Sequence, residues 1–454
     1  MQSSVKSKYI YFVVLTVNIA AFTTGTLVSS TSSQISKLSD AEHSPLGRAI
    51  TSTEESWIGS LHAVGGMFGP VLLALLSAKI GKRYTVISLV VPLVVAPLIY
   101  AFAETIYLFL IARVVGGIAV ASIFSLVILY VVEISDNHNR GLFTTSFIIF
   151  LSLGMVFAYC VSPYTSLKVY NLTVIVFPVL FAVASFFIIP ESPFYLVAKG
   201  REEEAKDVLT KLRGTDVHIK EEIQVIKDAL ARNSDQATIK DMISTKAARI
   251  AFLISTLLVV TQQFSGLAVI LSYTEQIFKE TNSNLTPAES SIVIGVVGFL
   301  FSPLAPILSD RFNRRVLFLS SLLGNLLMLI VIGLYFFLKD NGTDVDAISW
   351  LPLVCVVMFL FFNSFGLMPL VWPIITEILP QNVKSHGTGV LNLLSNVSSF
   401  IVNFLFPIMQ DSMGLAGIFW FYSGIITVTG IFFYFKLPET KGKSMLEIQD
   451  ILSS

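Results

Sequence analysis

Residues 316–338 read VLFLSSLLGNLLMLIVIGLYFFL, an apolar run without a charged side chain. An α-helix rises about 1.5 Å per residue, so a run of this length crosses a hydrocarbon core of about 30 Å. Backbone N–H and C=O groups inside a bilayer have no water to bond, and a helix satisfies them within one segment. The run therefore predicts a transmembrane helix.

Similar apolar runs recur throughout the chain. Of its 454 residues, 54% are hydrophobic and only 13% are charged, a balance that a soluble domain of this size does not sustain. The first run is too long for a signal peptide, so we expect it to be retained as a span. The pattern predicts an all-α membrane protein with about twelve transmembrane helices, near 9–29, 56–77, 84–103, 107–131, 142–162, 170–189, 249–276, 288–308, 315–338, 349–376, 387–409 and 415–436.

The longest polar stretch inside the chain separates these spans into two sets of six. Apolar residues recur within it at helical spacing, which predicts short amphipathic helices. We expect four parts: an N-terminal six-helix bundle over 1–189, a cytoplasmic linker with amphipathic helices over 190–248, a C-terminal six-helix bundle over 249–436 and a cytoplasmic tail over 437–454.

The distribution of basic residues predicts the orientation in the membrane. Most of the 30 Lys and Arg residues fall in loops on one side when both termini are placed on that side. Basic loops stay in the cytoplasm. We therefore expect both termini to be cytoplasmic.

Charged motifs repeat between the two halves. GKR at 81–83 follows the second span and DRFNRR at 310–315 follows the eighth, and in each half a glutamate precedes a basic residue by seven positions. Acidic and basic groups at helix ends form partly buried pairs that break and re-form, so we predict a cytoplasmic gate. The alternative is that these are ordinary loop charges. The predicted gate residues are Lys82, Arg83, Glu133, Arg140, Glu191, Asp310, Arg314, Arg315, Glu377, Lys384 and Glu439.

Three further motifs carry a resemblance to a known family. PESPFYL at 190–196 and PETKG at 438–442 end the two halves, and QQFSG at 262–266 lies in the seventh span. Over nearly the whole chain, the motifs resemble those of the sugar porters of the major facilitator superfamily, which include insect facilitated trehalose transporters and animal facilitative glucose transporters. The resemblance implies two pseudo-symmetric six-helix bundles in the plasma membrane.

A sugar presents hydroxyl groups and an apolar ring face, so its site needs amides, hydroxyls and an aromatic ring. The resemblance implies that the glutamine pair, a tyrosine of the seventh span and a tryptophan of the tenth contact the substrate. Two asparagines of the eleventh span add amides nearby. For the amides the alternative is hydrogen bonding between helices, and for the tryptophan it is core packing. The candidate substrate-binding residues are Gln262, Gln263, Tyr273, Trp372, Asn392 and Asn396.

Several positions depart from the family pattern. Ile148, Ala268, Ser272, Gly298 and Ser399 stand where the resemblance implies other polar or aromatic groups. Each lost hydrogen bond weakens binding by about 0.5–1.5 kcal/mol. The reduced pocket leaves open a polyol or another small neutral solute as the cargo.

The sequence lacks the residues that proton coupling and several other functions require. Proton-linked sugar porters carry a carboxylate in the first span, where this chain has FTTG at 22–25. It has no phosphate-binding loop, no metal-ligand spacing, no nucleophile–base set and no nucleic-acid pattern. We predict that it is not an enzyme, needs no cofactor or metal, and binds no nucleotide or nucleic acid. Its expected partners are a small-molecule sugar and membrane lipid.

The predicted function is facilitative uniport of a hexose or trehalose across the plasma membrane. A non-transporting sugar sensor is the alternative from another class, but the short tail after Pro438 favours transport. Sequons at Asn284 and Asn341 lie on the predicted outer side and are possible glycosylation sites, and a third sequon begins at Asn171.

Overall fold

The computed structural model of the protein describes residues 7–42, 44–136, 139–214, 219–232, 245–281, 283–309, 311–380, 383–443 and 445–453. In these ranges the regular secondary structure is helical, and no β-strand occurs among them. The predicted all-α class is confirmed.

Long apolar helices dominate the first half, and three short helices follow them. Residues Ile123–Val127 form a π-helical turn inside the fourth span, a feature that often marks a functional region. The helices are α1 (Tyr9–Leu38), α2 (Ser52–Ile80), α3 (Lys82–Ser88), α4 (Val90–Phe102), α5 (Ile106–Ser122), α6 (Ile128–Ile134), α7 (Arg140–Val161), α8 (Leu167–Ile188), α9 (Pro193–Ala198), α10 (Glu202–Arg213) and α11 (Ile219–Arg232).

The second half contains more interruptions within its spans than the first. Asp346–Ile348 forms a single 3₁₀ turn. The helices are α12 (Lys246–Gln263), α13 (Leu267–Ser272), α14 (Thr274–Lys279), α15 (Pro287–Phe301), α16 (Leu304–Ser309), α17 (Arg314–Asp340), α18 (Leu351–Phe365), α19 (Leu367–Ile378), α20 (Lys384–Lys436) and α21 (Met445–Ser453).

The number of spans agrees with the predicted twelve. Among the described residues, 10 helical segments are long and apolar enough to cross a membrane. The last of them, inside α20, divides into two spans because Gly414 has a non-helical backbone with φ 68°. The shorter apolar helix Pro287–Phe301 occupies the position of the eighth span.

Contacts between Cα atoms divide the chain into two compact units. In the first unit, Val13 and Val17 of α1 belong to one buried cluster with Val127, Tyr130 and Phe147. The first unit comprises Met1–Val28, Gly65–Phe157 and Thr165–Gln236; the second comprises Ser29–Val64, Ala158–Tyr164 and Ala237–Ser454. The division into four parts made from the sequence stays a prediction.

The short helices α9–α11 form a small apolar cluster of their own. Leu196, Leu209 and Ile226 are buried in it. Arg213, at the end of α10, is 4% exposed and donates from Nη1 to the carbonyl of Ile134 at 2.5 Å. This bond attaches the short helices to the end of the fourth span.

Candidate functional site

The seventh span breaks directly after the two glutamines. α12 ends at Gln263, and α13 begins only after Gly266, which has a left-handed backbone with φ +88°. A Cβ at Gly266 would lie 2.9 Å from Cδ2 of Tyr422, so both the backbone angle and the close packing require glycine. Gln262 and Gln263 therefore stand on the last turn of a helix that stops inside the span.

The tenth span is broken as well. α18 ends at Phe365, Gly366 has φ −124° and ψ −85°, and α19 begins at Leu367. The hydroxyl of Ser321 bridges this break: it donates to the carbonyl of Phe362 at 2.7 Å and accepts from the N–H of Leu367 at 3.0 Å. Breaks of this kind release backbone groups inside a membrane, and they are tolerated where side chains re-bond them.

Gln262 joins the two broken spans. Its Nε2 donates to the carbonyl of Met368 at 3.2 Å and lies 3.4 Å from that of Leu367, both in the first turn of α19. Gln263 points to another helix, since its Nε2 donates to the hydroxyl of Ser395 at 2.8 Å. The Oε1 atoms of both glutamines have no hydrogen-bond partner in the described ranges and are not among the buried unpaired atoms. Each glutamine therefore has one bonded and one available polar atom.

Two asparagines of α20 lie beside Ser395. Asn396 donates from Nδ2 to the Oδ1 of Asn392 at 3.0 Å and to its carbonyl at 2.9 Å. Residues three and four apart share one face of a helix, so Asn392, Ser395 and Asn396 form a single polar stripe. The Ser395 bond places this stripe next to Gln263.

Trp372 lies in α19, one helical turn after Met368, whose carbonyl binds Gln262. Its side chain is partly exposed, and the indole N–H has no acceptor within the described part of the chain. Since α19 packs against α12, the sequence-predicted tryptophan and glutamines come from neighbouring elements of one unit.

Tyr273 has a different environment. It is 0% exposed, its hydroxyl donates to the carbonyl of Asn403 at 3.0 Å, and its ring centroid lies 4.5 Å from that of Phe406. The hydroxyl also lies directly over Gly59. In this conformation Tyr273 joins α2 to the second half of the chain, and its contact with substrate stays a prediction.

Three of the positions that depart from the family pattern, Ala268, Gly298 and Ser399, lie in the same unit as the glutamines. At Gly298 no atom lies within 4 Å of the position that a Cβ would take, so this glycine borders open space. Ala268 and Ser399 are partly exposed. The missing side chains leave room and remove hydrogen-bonding groups.

The gate residues of the first half form one cluster. Lys82 pairs with Glu133, and the two side chains are 16% and 10% exposed. The Oε1 of Glu191 accepts from the backbone N–H groups of Lys82 at 2.8 Å and Arg83 at 3.1 Å. Ser192 donates to the other oxygen of Glu133 at 2.5 Å. A carboxylate at a helix N-terminus satisfies unpaired N–H groups and the helix dipole, so Glu191 stabilises the start of α3.

The gate residues of the second half repeat this arrangement. Arg314 pairs with Glu377. Glu439 accepts from the N–H of Arg314 at 3.2 Å and from that of Arg315 at 3.1 Å, at the start of α17. Glu439 of PETKG thus caps the start of α17, as Glu191 of PESPFYL caps the start of α3.

The remaining gate residues are not joined to these clusters. The side chain of Arg140 is exposed, and neither Arg140 nor Lys384 forms an ion pair within the described ranges. Burial lowers the pKa of Lys384. Asp310 lies outside the described residues.

Sequence reasoning missed the serines of these sites. Ser192 precedes Pro193 and accepts from the N–H of Tyr195 at 3.4 Å, a helix-capping pattern visible in the sequence. Ser321 and Ser395 carry no such signal, since a serine inside a span usually bonds its own helix.

The sequons fall in contrasting environments. Asn284 and Asn341 are exposed in loops or at a helix end. Asn171 is 0% exposed inside α8 and donates to the carbonyl of Leu167 at 2.8 Å. Of these three asparagines, only Asn284 and Asn341 are exposed.

Twelve helical spans in the described ranges, two of them interrupted, are the arrangement of a multi-pass membrane protein of the major facilitator fold. A family model described as "Sugar (and other) transporter" matches residues 8–452. The chain belongs to this family, whose members are transporters and not enzymes.

Individual relatives and solved structures agree with this family. The chain is 30% identical over 404 residues to the facilitated trehalose transporter Tret1 of Polypedilum vanderplanki, covering 88% of this chain and 80% of that one. It is 29% identical over 437 residues to Tret1 of Drosophila yakuba, covering 96% of this chain and spanning about half, 51%, of that protein. The inward-open xylose transporter XylE of E. coli has a TM-score of 0.81 at 19% identity, covering 97% of this chain and 99% of XylE. This likeness shows the fold alone.

Proposed function

We propose that the protein carries out facilitated transport of a sugar, a hexose or trehalose, by uniport across the plasma membrane. The observation that carries this proposal is the pair of interrupted spans joined by Gln262, next to the amides of Gln263, Asn392 and Asn396. Transporters commonly bind substrate at discontinuous helices near the middle of the membrane. The names of the relatives support a sugar as the cargo.

The proposed binding chemistry follows from the unpaired atoms. The Oε1 atoms of Gln262 and Gln263 accept hydrogen bonds from sugar hydroxyls, and the free Nδ2 of Asn392 donates to one. Trp372 offers an apolar face to the ring of the sugar. Because half of each amide is already bonded within the protein, its orientation is fixed before the sugar arrives, which reduces the entropy lost on binding.

The two gate clusters support alternating access. In this proposal they lie on the cytoplasmic side, together with both termini, and the boundaries at 1–189, 190–248, 249–436 and 437–454 separate bundles, linker and tail. The pair of Lys82 with Glu133 and that of Arg314 with Glu377 each hold one half rigid at its helix ends. Rigid halves allow one bundle to move against the other while both keep their shape.

Uptake by proteoliposomes tests this function. Purified full-length protein is reconstituted, and initial rates are measured for labelled glucose, fructose and trehalose against protein-free vesicles. We expect saturable uptake of at least one sugar, unchanged by an imposed pH gradient. Absence of saturable flux for all three contradicts the proposal, and saturable binding without flux would indicate a sensor.

A second candidate cargo is a polyol or another small neutral solute. The open space at Gly298 and the small side chains at Ala268 and Ser399 favour it, because they reduce the number of groups that discriminate among solutes. A panel of unlabelled sugars and polyols competing for uptake separates the two cargoes. In a separate test of the stacking contact, Trp372→Leu should lower uptake of any solute that lies against the indole.

A further inference from the structure

The end of α1 carries a polar stretch that the transport site does not use. Residues 29–34 read SSTSSQ, and all six are buried, with exposures of 0–2%. Buried hydroxyls are unfavourable in an apolar environment unless they are bonded. Their position calls for a polar partner on a neighbouring helix.

That partner is Glu275, near the start of α14. It is 6% exposed. Its backbone N–H donates to the hydroxyl of Ser32 at 2.8 Å. Its carboxylate is within electrostatic range of the ammonium of Lys37, and its Oε1 has no hydrogen-bond partner in the described ranges. A buried carboxylate needs a nearby opposite charge, so Lys37 of α1 helps to keep Glu275 inside the protein.

A third segment completes the cluster. The ammonium of Lys37 donates to the carbonyl of Ser162, just beyond the end of α7. Tyr159, in the last turns of α7, donates from its hydroxyl to the carbonyl of Leu271 at 3.4 Å. The ends of the first, fifth and seventh spans therefore meet at Glu275 and Lys37, and all three belong to the same compact unit.

The cluster lies at the C-terminal end of the first span. α1 is 30 residues long, so its ends are about 45 Å apart. At the other end, Tyr9 donates to the carbonyl of Ile188 at 2.7 Å, next to the PESPFYL motif. In the proposed orientation the Glu275 cluster is at the outer side.

We propose that Glu275, Lys37 and the hydroxyl of Ser32 form an outer lock that must open before substrate enters from outside. The inference rests on the proposed function, because alternating access requires first-half spans to separate from the seventh span at this end. When the lock opens, water solvates both charges. Desolvation opposes closure and attraction favours it, so the lock is reversible.

Single and double substitutions test the lock, because each single change should favour the open state and the double change should partly reverse that. Glu275→Gln leaves Lys37 without its carboxylate, and Lys37→Met leaves Glu275 as an unpaired buried charge, so each favours the open state. The double variant removes both charges. It should therefore be less open than either single variant. If each substitution only damaged the structure, the increases in opening from the two substitutions would add.

The reporter is a cysteine at Ser56 of α2. Ser56 is 0% exposed, and its hydroxyl bonds only Ser52 of its own helix, at 2.9 Å, so Ser56→Cys leaves the lock intact. The native thiols are removed by Cys160→Ser and Cys355→Ala. Labelling by a membrane-impermeant thiol reagent then reports opening in reconstituted full-length protein.

We expect Glu275→Gln and Lys37→Met to label about fivefold faster than the parent, and the double variant to label more slowly than either. Glu280→Gln, on an exposed glutamate five residues further on, is the matched control and should not change the rate. Unchanged labelling in Lys37→Met, or faster labelling in the double variant than in both singles, overturns the lock. Labelling needs no sugar, so a failure of the lock is distinguishable from a failure of sugar transport.

Discussion

The carboxylate of Glu191 accepts a hydrogen bond of 2.8 Å from the backbone N–H of Lys82, the first residue of α3. In the second half, Glu439 makes the equivalent bond to the N–H of Arg314, the first residue of α17. The two motif glutamates therefore share one physical role, which is to cap the helix that begins the third span of their own half. The motif that the two halves of the sequence share therefore forms the same helix cap in each half.

Removing either cap should destabilise the protein by a similar amount. Glu191→Ala and Glu439→Ala each lose the acceptor for the first two N–H groups of a helix. Loss of an N-terminal cap costs about 1 kcal/mol. We expect both variants to show a lower apparent melting temperature in detergent, measured by fluorescence-detected gel filtration. Glu204→Ala is the control, because Glu204 pairs only with exposed Arg201 within its own helix end. A melting temperature equal to that of the control would contradict the capping role.

Mutations can separate the proposed bond of Gln263 to substrate from its bond to Ser395. Gln263→Ala removes the amide that we assign to substrate, and loss of one hydrogen bond should raise KM for sugar uptake about threefold to tenfold. Ser395→Ala removes only the bond of 2.8 Å between helices. It should change KM much less, because the Oε1 of Gln263 remains available.

Equal effects of these two substitutions would support the other interpretation of the amide. In that case Gln263 would serve only to join α12 to α20, as amides between membrane helices often do. Initial rates over a range of sugar concentrations give KM and the maximal rate separately. A packing defect lowers the maximal rate as well, whereas loss of a substrate contact acts mainly on KM.

Gly59 should not tolerate a side chain. A Cβ at this position would overlap the hydroxyl of Tyr273, so Gly59→Ala forces α2 and the seventh span apart. Overpacking of this kind typically costs about 1–3 kcal/mol. We expect a lower melting temperature and reduced uptake, partly restored by the added substitution Tyr273→Phe, which removes the overlapping oxygen.

The matched control for Gly59 is Gly116→Ala. There the nearest atom to a Cβ is the Cβ of Ala96, at the ordinary contact distance of 3.6 Å. This variant should keep its stability. Normal uptake by Gly59→Ala would show that the contact with Tyr273 is not tight in the working protein.

Glycosylation should occur at two of the four sequons, since the fourth, at Asn396, lies inside α20. Expressed in eukaryotic cells, the protein should lose mass on treatment with an N-glycosidase, and Asn284→Gln and Asn341→Gln should each reduce that loss. Asn171→Gln should have no effect, because Asn171 is buried inside α8. Since glycans are added only on the side that becomes extracellular, absence of glycan at both exposed sites would contradict the proposed orientation.

The sequence predicted the spans and the motif residues because both depend on local signals. Apolar runs such as 316–338 indicate that a segment lies in lipid, and the PES and PET motifs can be recognised from their own residues. What the glutamates bind could not be predicted, because their partners are backbone N–H groups more than 100 residues away. The repeat indicated only that charges gather at helix ends.

The interruptions of the seventh and tenth spans were not predicted either. LAVILS, which follows Gly266, has no residue that stops a helix, and an isolated glycine inside a span is usually tolerated. The break depends on the ring of Tyr422 packed against Gly266, a long-range contact. Glu275 was counted as part of an apolar span for the same reason, since only the fold shows that it faces α1.

Sugar counterflow tests the central claim most directly. Proteoliposomes containing the full-length protein are loaded with an excess of unlabelled sugar and diluted into a trace of the same labelled sugar, without an ion gradient. A uniporter with alternating access should accumulate label inside, transiently above its outside concentration, and Gln263→Ala should reduce this overshoot. No overshoot for glucose, fructose or trehalose in vesicles shown to contain folded protein would contradict facilitated sugar transport.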